Sequence, residues 1–223
     1  MKKLYLLLCI CSMCTLAIRA QENVSWKTRL TSADRTTWKG VRISYDHTNM
    51  RYSGGNDLKR IGYNGISAGY VHSFNLGRKL PLFLETGAGL DFFRHSFDGS
   101  EGRIVEKVST NIQGLNIPAN VVYKINITDK IAVKPYTGLY LRLNLLAKEK
   151  FECGLTDNTS EEAVNLFDGD LGESWNRVQL GWQIGAAVDY GCYNVGVGYA
   201  VDFNPIAVDS RLGVFSLRLG LNF

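Results

Sequence analysis

The feature that most constrains this chain is a strict alternation of apolar residues with polar residues or glycine, which recurs in eight segments between Val41 and Phe223. A period of two places successive side chains on opposite faces of a β-strand, so each segment predicts a strand with two different faces. The eight segments are 41–46, 66–74, 82–92, 115–125, 131–145, 178–189, 193–203 and 215–223. The sequence therefore predicts an all-β fold.

The residues on the polar face of these strands indicate whether that face points into a barrel or away from it. It carries charges of both signs interleaved with glycines, which would cost stability on a solvated strand but leave room for long side chains in a narrow lumen. We therefore predict an eight-stranded antiparallel up-and-down transmembrane β-barrel with its apolar face outward. A soluble lipocalin-like barrel with its apolar face inward is the alternative. The predicted lumen charge network is Arg42, Asp46, Glu85, Asp91, Lys134, Arg142, Asp202 and Arg218, with Asp189 on the same face.

The connections between the segments give the orientation. Short links at 75–81, 126–130 and 191–192 alternate with longer polar ones, which predicts short periplasmic turns and long extracellular loops. This orientation sorts the outward aromatic residues into two girdles. Phe74, Tyr123, Tyr190, Tyr193 and Phe223 fall at the periplasmic ends, and Tyr45, Phe92, Phe203 and Phe215 at the extracellular ends.

Three stretches carry a resemblance to a known family: KPYTG at 134–138, GWQIGAAVDY at 181–190 and FSLRLGLNF at 215–223. Over 38–223 the chain resembles the outer-membrane β-barrel domain family common in Bacteroidetes, often described as PorT-like. The resemblance implies the barrel architecture and an outer-membrane location, and it assigns no role. The last stretch also resembles the C-terminal insertion signal of such barrels, formed here by Phe215, Leu217, Leu219, Leu221 and Phe223.

The N-terminus is typical of a targeting segment. Lys2 and Lys3 precede an apolar run over 4–18, and Ala20 precedes Gln21, so 1–20 is predicted to be a signal peptide. A lipoprotein signal ending at Cys14 is the alternative. The predicted organisation is a signal peptide at 1–20, a short N-terminal periplasmic segment at 21–37 and the barrel at 38–223. Cleavage removes three of 25 basic residues and none of the 21 acidic ones, lowering the net charge from +4 to +1, so no nucleic-acid partner is indicated.

The histidines supply the candidate catalytic residues. His47 and His95 fall near the extracellular rim with Ser96 beside the latter, while His72 falls near the periplasmic interface. No spacing matches a catalytic triad or a metal motif. We therefore predict a protein that is not an enzyme and needs no cofactor, with a lipid-modifying barrel enzyme as the less favoured alternative.

The segment 148–176 is acidic and predicted to be the longest loop. Thr159 and Glu162 form a capping box before Ala163, Val164, Leu166 and Phe167, which predicts a short helix on this loop. The residues from Asp168 to Glu173 offer a calcium alternative, although glycine occupies position 172, where a third oxygen ligand is needed.

Two cysteines, Cys153 and Cys192, lie outside the signal peptide. They are predicted at opposite ends of an apolar band ~25 Å tall, whereas a disulfide needs Cα atoms within ~7 Å. We therefore expect no bridge between them, so that both thiols are free or engage other molecules.

These observations favour a structural or partner-binding outer-membrane barrel with a packed lumen, whose extracellular loops carry any recognition. A small pore is the alternative. The expected partners are outer-membrane lipid, the barrel assembly machinery and an unidentified envelope or extracellular protein.

Overall fold

A computed structural model describes residues 37–52, 60–76, 80–99, 104–155, 158–168, 174–207 and 210–223. The predicted signal peptide and all of the predicted periplasmic segment except residue 37 lie outside these ranges. Among the described residues, no helix is long and apolar enough to cross a membrane.

The described residues form ten antiparallel strands, of which eight close into a ring. The ring runs β1, β2, β3, β4, β6, β8, β9 and β10, and closes because β10 pairs with β1. The other two strands are short additions to β6. The strands are β1 Lys39–Tyr52, β2 Arg60–Asn75, β3 Leu82–Asp98, β4 Ile104–Tyr123, β5 Ile125–Asn126, β6 Ile131–Leu155, β7 Asn158–Asn165, β8 Val178–Tyr190, β9 Tyr193–Asp202 and β10 Ser210–Asn222. The prediction of an eight-stranded up-and-down barrel is confirmed.

Alternation along each strand sets the two faces of the wall. Ile43, Ile66 and Leu219 point outward and are each about 60% exposed, whereas Asp91 and Asp202 point inward and are buried. An apolar outer face around a polar interior is the arrangement of a transmembrane barrel. The alternative of a soluble barrel with an apolar interior is therefore wrong for the lower part of the wall, where these five residues lie.

The first residue of β1 and the last residue of β10 lie at the same end of the barrel, which we call the base. There the backbone of Lys39 donates to Phe223 (3.2 Å) and accepts from it (2.8 Å). The opposite end, where β1 ends at Tyr52 and β10 begins at Ser210, is called the top. The base corresponds to the predicted periplasmic end.

The strands extend farther toward the top than the sequence predicts. β4 begins at Ile104 rather than 115, and β6 ends at Leu155 rather than 145. As a result, the 99–103 link at the top is as short as the 76–81 link at the base, and the predicted strict alternation of short and long loops is wrong. The extensions were missed because their apolar residues occupy the inward positions, opposite to the pattern lower in the barrel.

The helix predicted after Thr159 is also wrong. The segment forms β7, which pairs with β6 in a hairpin from Lys148↔Asn165 to Leu155↔Asn158. A neighbouring strand satisfies the backbone groups that a helix would have satisfied internally, so tertiary context overrides the local capping signal.

The two cysteines lie at opposite ends of the barrel and do not bridge each other, as predicted. Cys153 lies within β6 rather than beyond its end, opposite Glu106 and Ser160. Cys192 lies at the base in the turn between β8 and β9.

Candidate functional site

Trp38 occupies the lumen at the base of the barrel. Its backbone exchanges hydrogen bonds with Ser73, which donates from N (2.9 Å) and accepts at Oγ (2.7 Å), and its Nε1 donates to Glu85 Oε2 at 2.6 Å. The ring packs against Phe83 with centroids 4.8 Å apart, and Lys134 Nζ lies 3.5 Å from its centroid. Trp38 is 6% exposed, so its side chain is packed inside the base. No alternation pattern predicts this position for Trp38, because it precedes the first alternating segment.

Two ion pairs surround the Trp38 ring. Lys134 pairs with Asp189, whose other oxygen accepts from Asn194 Nδ2 at 2.6 Å. Arg42 lies 3.8 Å from Glu85. Each buried charge thus faces an opposite one, which offsets the cost of removing it from water.

Glycines on the inner wall leave space for two lumen tyrosines. A Cβ atom at Gly185 or Gly198 would clash with the Tyr136 hydroxyl, and one at Gly181 would clash with the Tyr140 ring. The glycines between the charged positions are therefore required by their aromatic neighbours on β6.

Arg142 is the centre of the next layer toward the top. Its Nε donates to Asp91 Oδ2 at 3.2 Å, and its Nη1 lies 3.8 Å from Asp202 Oδ1. The Tyr140 hydroxyl also donates to Asp202. The guanidinium carbon lies 5.3 Å and 5.4 Å from the ring centroids of Tyr140 and Phe93. All three ionised side chains are at most 3% exposed, so this is the most buried charge cluster in the described wall.

The two remaining charges predicted for the lumen bond to neutral groups. Asp46 accepts hydrogen bonds from the hydroxyls of Ser44 (3.0 Å) and Ser67. Arg218 Nη2 donates to Gln183 Oε1 at 3.2 Å.

All eight predicted lumen charges face the interior, where each has its nearest polar partners in a small local group. The groups are Arg42 with Glu85, Lys134 with Asp189, Arg218 with Gln183, Asp46 with two serines, and Arg142 with Asp91 and Asp202.

Above the Arg142 layer the interior becomes apolar. Side chains from the strand extensions pack there with two residues that follow β7 and one from the β9–β10 connection. This cluster, called the top cluster, comprises Met50, Tyr63, Phe93, Ile112, Ala147, Leu166, Phe167, Ile206 and Leu212. The alternation pattern does not predict this cluster, because its residues lie outside the lower alternating segments or in the opposite phase to them.

Side chains fill most of the lumen and leave a cavity of about 110 Å³. Its lining extends from Val122 and Tyr136, which pack with Trp38, to Phe93 in the top cluster. A space of this size holds a few water-sized molecules. The lumen is thus a small polar chamber between two ends occupied by side chains.

The candidate catalytic histidines lie on opposite faces of the wall. His47 faces outward with its Nδ1 2.9 Å from Asn64 Oδ1, whereas His95 faces inward with its Nδ1 2.7 Å from the Gly62 carbonyl. His72 stacks on Phe74 near the base, with centroids 4.4 Å apart. Within the described ranges, no group of three or more His, Cys, Asp and Glu side chains could hold a metal ion. The calcium candidate falls largely on 169–173, outside those ranges.

The predicted insertion signal forms the outward face of β10 and the residue after it. Phe215, Leu217, Leu219, Leu221 and Phe223 are all exposed on this face. Their role in assembly stays a prediction.

Comparison with known proteins gives one family and several similar folds. A family model described as "Outer membrane protein beta-barrel domain" matches residues 36–208. The solved structure of Ail, the attachment invasion locus protein of Yersinia pestis, is 14% identical, with a TM-score of 0.44, covering 83% of this chain and 98% of that one. Neisserial surface protein A is 18% identical, with a TM-score of 0.41 and coverage of 83% and 97%. Among curated proteins no sequence matches.

Proposed function

Because the chain belongs to the outer membrane protein β-barrel domain family and lies in the outer membrane, we propose that it is a non-enzymatic barrel that binds a partner through its top. The base then faces the periplasm, and the top, toward which β4, β6 and β7 extend, faces the exterior. Membership of the PorT-like group common in Bacteroidetes is part of this proposal and rests on the quoted sequence stretches. The cleaved signal peptide and a role of the barrel assembly machinery in inserting the chain are also part of this proposal.

The observation that carries the proposal is that side chains occupy both ends of the lumen, whereas the strands at the top extend into a sheet. Trp38 fills the base and the top cluster fills the opposite end. Conduction or uptake would require both to move. The extended sheet needs no such change to meet a partner.

The extended sheet consists of β3, β4, β6 and β7 beyond the top cluster. β4 and β6 pair as far as Ile104↔Leu155, and the β6–β7 hairpin adds a fourth strand. Because a sheet is held by backbone hydrogen bonds, it presents side chains in fixed positions at a smaller ordering cost than a free loop.

The charge pattern of this sheet favours a basic partner. One cross-strand row reads Asp98, Lys107, Glu152 and Glu161, and Lys107 lies 4.0 Å from Asp98. Glu152 and Glu161 are therefore directly opposed like charges, which destabilise a strand pair. The adjacent Glu162 is also exposed. A positively charged protein surface would relieve this repulsion on binding.

Crosslinking on intact cells tests the proposal. A photoreactive residue at position 160, an exposed position next to Glu161 on β7, should give a discrete crosslinked species. Glu161→Lys should reduce its yield at least tenfold, whereas Asp129→Asn, which removes an exposed carboxylate at the base, should leave it unchanged. A yield that is the same in wild type and Glu161→Lys would contradict recognition at the top.

A small pore is the second candidate, supported by the polar chamber of about 110 Å³. Stable ohmic channels from purified protein in a planar bilayer would favour the pore, and we expect none.

A further inference from the structure

We propose that the outer surface of β2, β3 and β4, at the upper edge of the apolar band, binds a phosphate-bearing glycolipid of the outer leaflet. Arg94 would contact the phosphate, and Ile66 and Phe92 would contact an acyl chain. This inference is independent of what the top of the barrel binds.

A surface depression of about 410 Å³ marks the site. Its lower part is lined by Tyr45, Ile66 and Phe92, and its upper part by Asn64, Arg94 and Asn111. On β2, Asn64 follows Ile66 toward the top on the outward face, and on β3, Arg94 follows Phe92. The change from apolar to polar therefore occurs within two residues of a strand, which span ~7 Å.

The upper part of the depression carries positive charge. Arg94 pairs in register with Asn111, which pairs with Lys148, so the two cations lie in one row across three strands. Neighbouring strands are ~4.8 Å apart, which puts their Cα atoms ~10 Å from each other. Both side chains are long enough to reach a phosphate group between them. No salt bridge involves Arg94 within the part of the chain that the structure describes.

Carboxylates on this outward face lie farther from the membrane. On the described outward faces of β3 and β6, the nearest acidic residues are Asp98 and Glu152, each four residues beyond the cation of its own strand. Four residues of a strand span ~13 Å. Along β3 and β6, positive charge therefore lies next to the apolar band and negative charge beyond it, which matches the phosphate level of a lipid layer.

Asn64 completes the site because it is already held in place. Its Oδ1 accepts a hydrogen bond from the Tyr45 hydroxyl at 3.0 Å and lies 2.9 Å from His47 Nδ1. These contacts orient the amide nitrogen of Asn64 before any ligand arrives, which lowers the ordering cost of binding.

A lipid matches the apolar lower part and the cationic upper part of the depression better than a free anion does. Ile66 is 60% exposed and Phe92 is 43% exposed, and both lie in the wall that contacts the membrane. A free phosphate would use only the cationic part, whereas a phosphorylated glycolipid uses the apolar and cationic parts together.

The test measures lipid binding to the purified, folded barrel in zwitterionic detergent. The probes are phosphorylated lipid A and the same lipid A after phosphatase treatment, and native mass spectrometry reports the bound fraction. One basic residue near an anionic lipid is worth about fivefold in affinity. We expect Arg94→Gln to weaken binding of the phosphorylated probe about fivefold and Arg94→Gln with Lys148→Gln about 25-fold, with no change for the dephosphorylated probe.

Arg211→Gln is the matched control, since Arg211 is an exposed outward arginine on β10, away from the depression. It should bind both probes as wild type does. Equal binding of the two probes, an unchanged Arg94→Gln or an equal loss in Arg211→Gln would overturn the proposal. Displacement of the lipid by millimolar inorganic phosphate would also overturn it, because the occupant would then be a free anion. Retained heat-modifiable mobility in SDS verifies that each variant is folded.

Discussion

The lower barrel and its extension at the top use one continuous wall in opposite ways. In β1, Tyr45 faces outward and Asp46 inward in the lower barrel, whereas near the top Asn49 faces outward and the apolar Met50 inward. The strand continues in one register with β2 and β10 through this change. The medium outside the wall therefore decides which face is apolar: lipid below, and water above.

In β6, a bulge changes which positions face inward. Its pairing with β4 shifts at Gln113/Gly114, where Leu146 and Asn144 are the partners and Leu145 is the extra residue. This bulge moves the inward positions from even to odd numbers, so that Ala147 points into the top cluster. A local irregularity thus aligns β6 with the new core.

The largest effect is expected from removing the charge at the centre of the lower barrel. Arg142→Met leaves Asp91 and Asp202 buried without their cation, which costs about 3–5 kcal/mol. Unfolding by urea in lipid vesicles, followed by tryptophan fluorescence, should show this loss.

The triple variant Arg142→Met, Asp91→Asn, Asp202→Asn removes the whole ionic group and should recover most of the stability. If the single variant is as stable as wild type, the lower lumen does not depend on paired charge, and the contrast between the regions fails.

The next largest effect is expected from a charge placed on the outer face, which should cost more stability in the lower barrel than near the top. Leu219 lies midway between Phe215 and Phe223 on the lipid-facing side, so Leu219→Arg should destabilise the barrel by about 2–4 kcal/mol. Asn49→Arg, outward near the top, should change the free energy of unfolding by less than about 0.5 kcal/mol. Equal losses in the two variants would place both residues in the same medium.

A truncation within the top cluster should act locally. Leu166 is 4% exposed, and its backbone N donates to the Ala147 carbonyl at 3.0 Å. Leu166→Ala should cost about 2 kcal/mol, the lower end for a buried leucine, because a cluster near the rim can relax. Amide hydrogen exchange should accelerate in the β6–β7 hairpin and stay unchanged in the lower strands. Faster exchange throughout the barrel would mean that the two regions unfold as one.

The smallest effect is expected from opening one end of the lumen. Trp38→Ala removes the side chain that fills the base, but the top cluster still occupies the other end. We expect no steady conductance in a planar bilayer. Stable channels in this variant would show that the top cluster does not block ions.

The sequence was sufficient for features set by alternation and insufficient for those set by register. It placed Arg42, Lys134 and Arg142 on the inner face because each lies one residue from an apolar neighbour. It could not pair Arg142 with Asp91, because the two residues are 51 positions apart in sequence and are brought together only by the register of two strand pairs.

The top cluster was unpredictable for another reason. Met50, Tyr63 and Ile112 stand in the opposite phase to the apolar residues lower in their own strands, so a search for one continuous pattern ends before them. Trp38 lies outside any alternating segment, and only the closed ring shows that it points into the lumen.

The seam between β1 and β10 has a consequence for biogenesis. Arg42 Nη2 donates to Asn222 Oδ1 across 180 residues of sequence. Contacts between such distant residues pay the largest loop-closure entropy and form late. Until the last strand has been synthesised and delivered, β1 and β9 both keep an unpaired edge, and open edges invite aggregation. The nascent chain therefore needs protection during its whole passage to the membrane, and that need ends only when its final residues pair with its first strand.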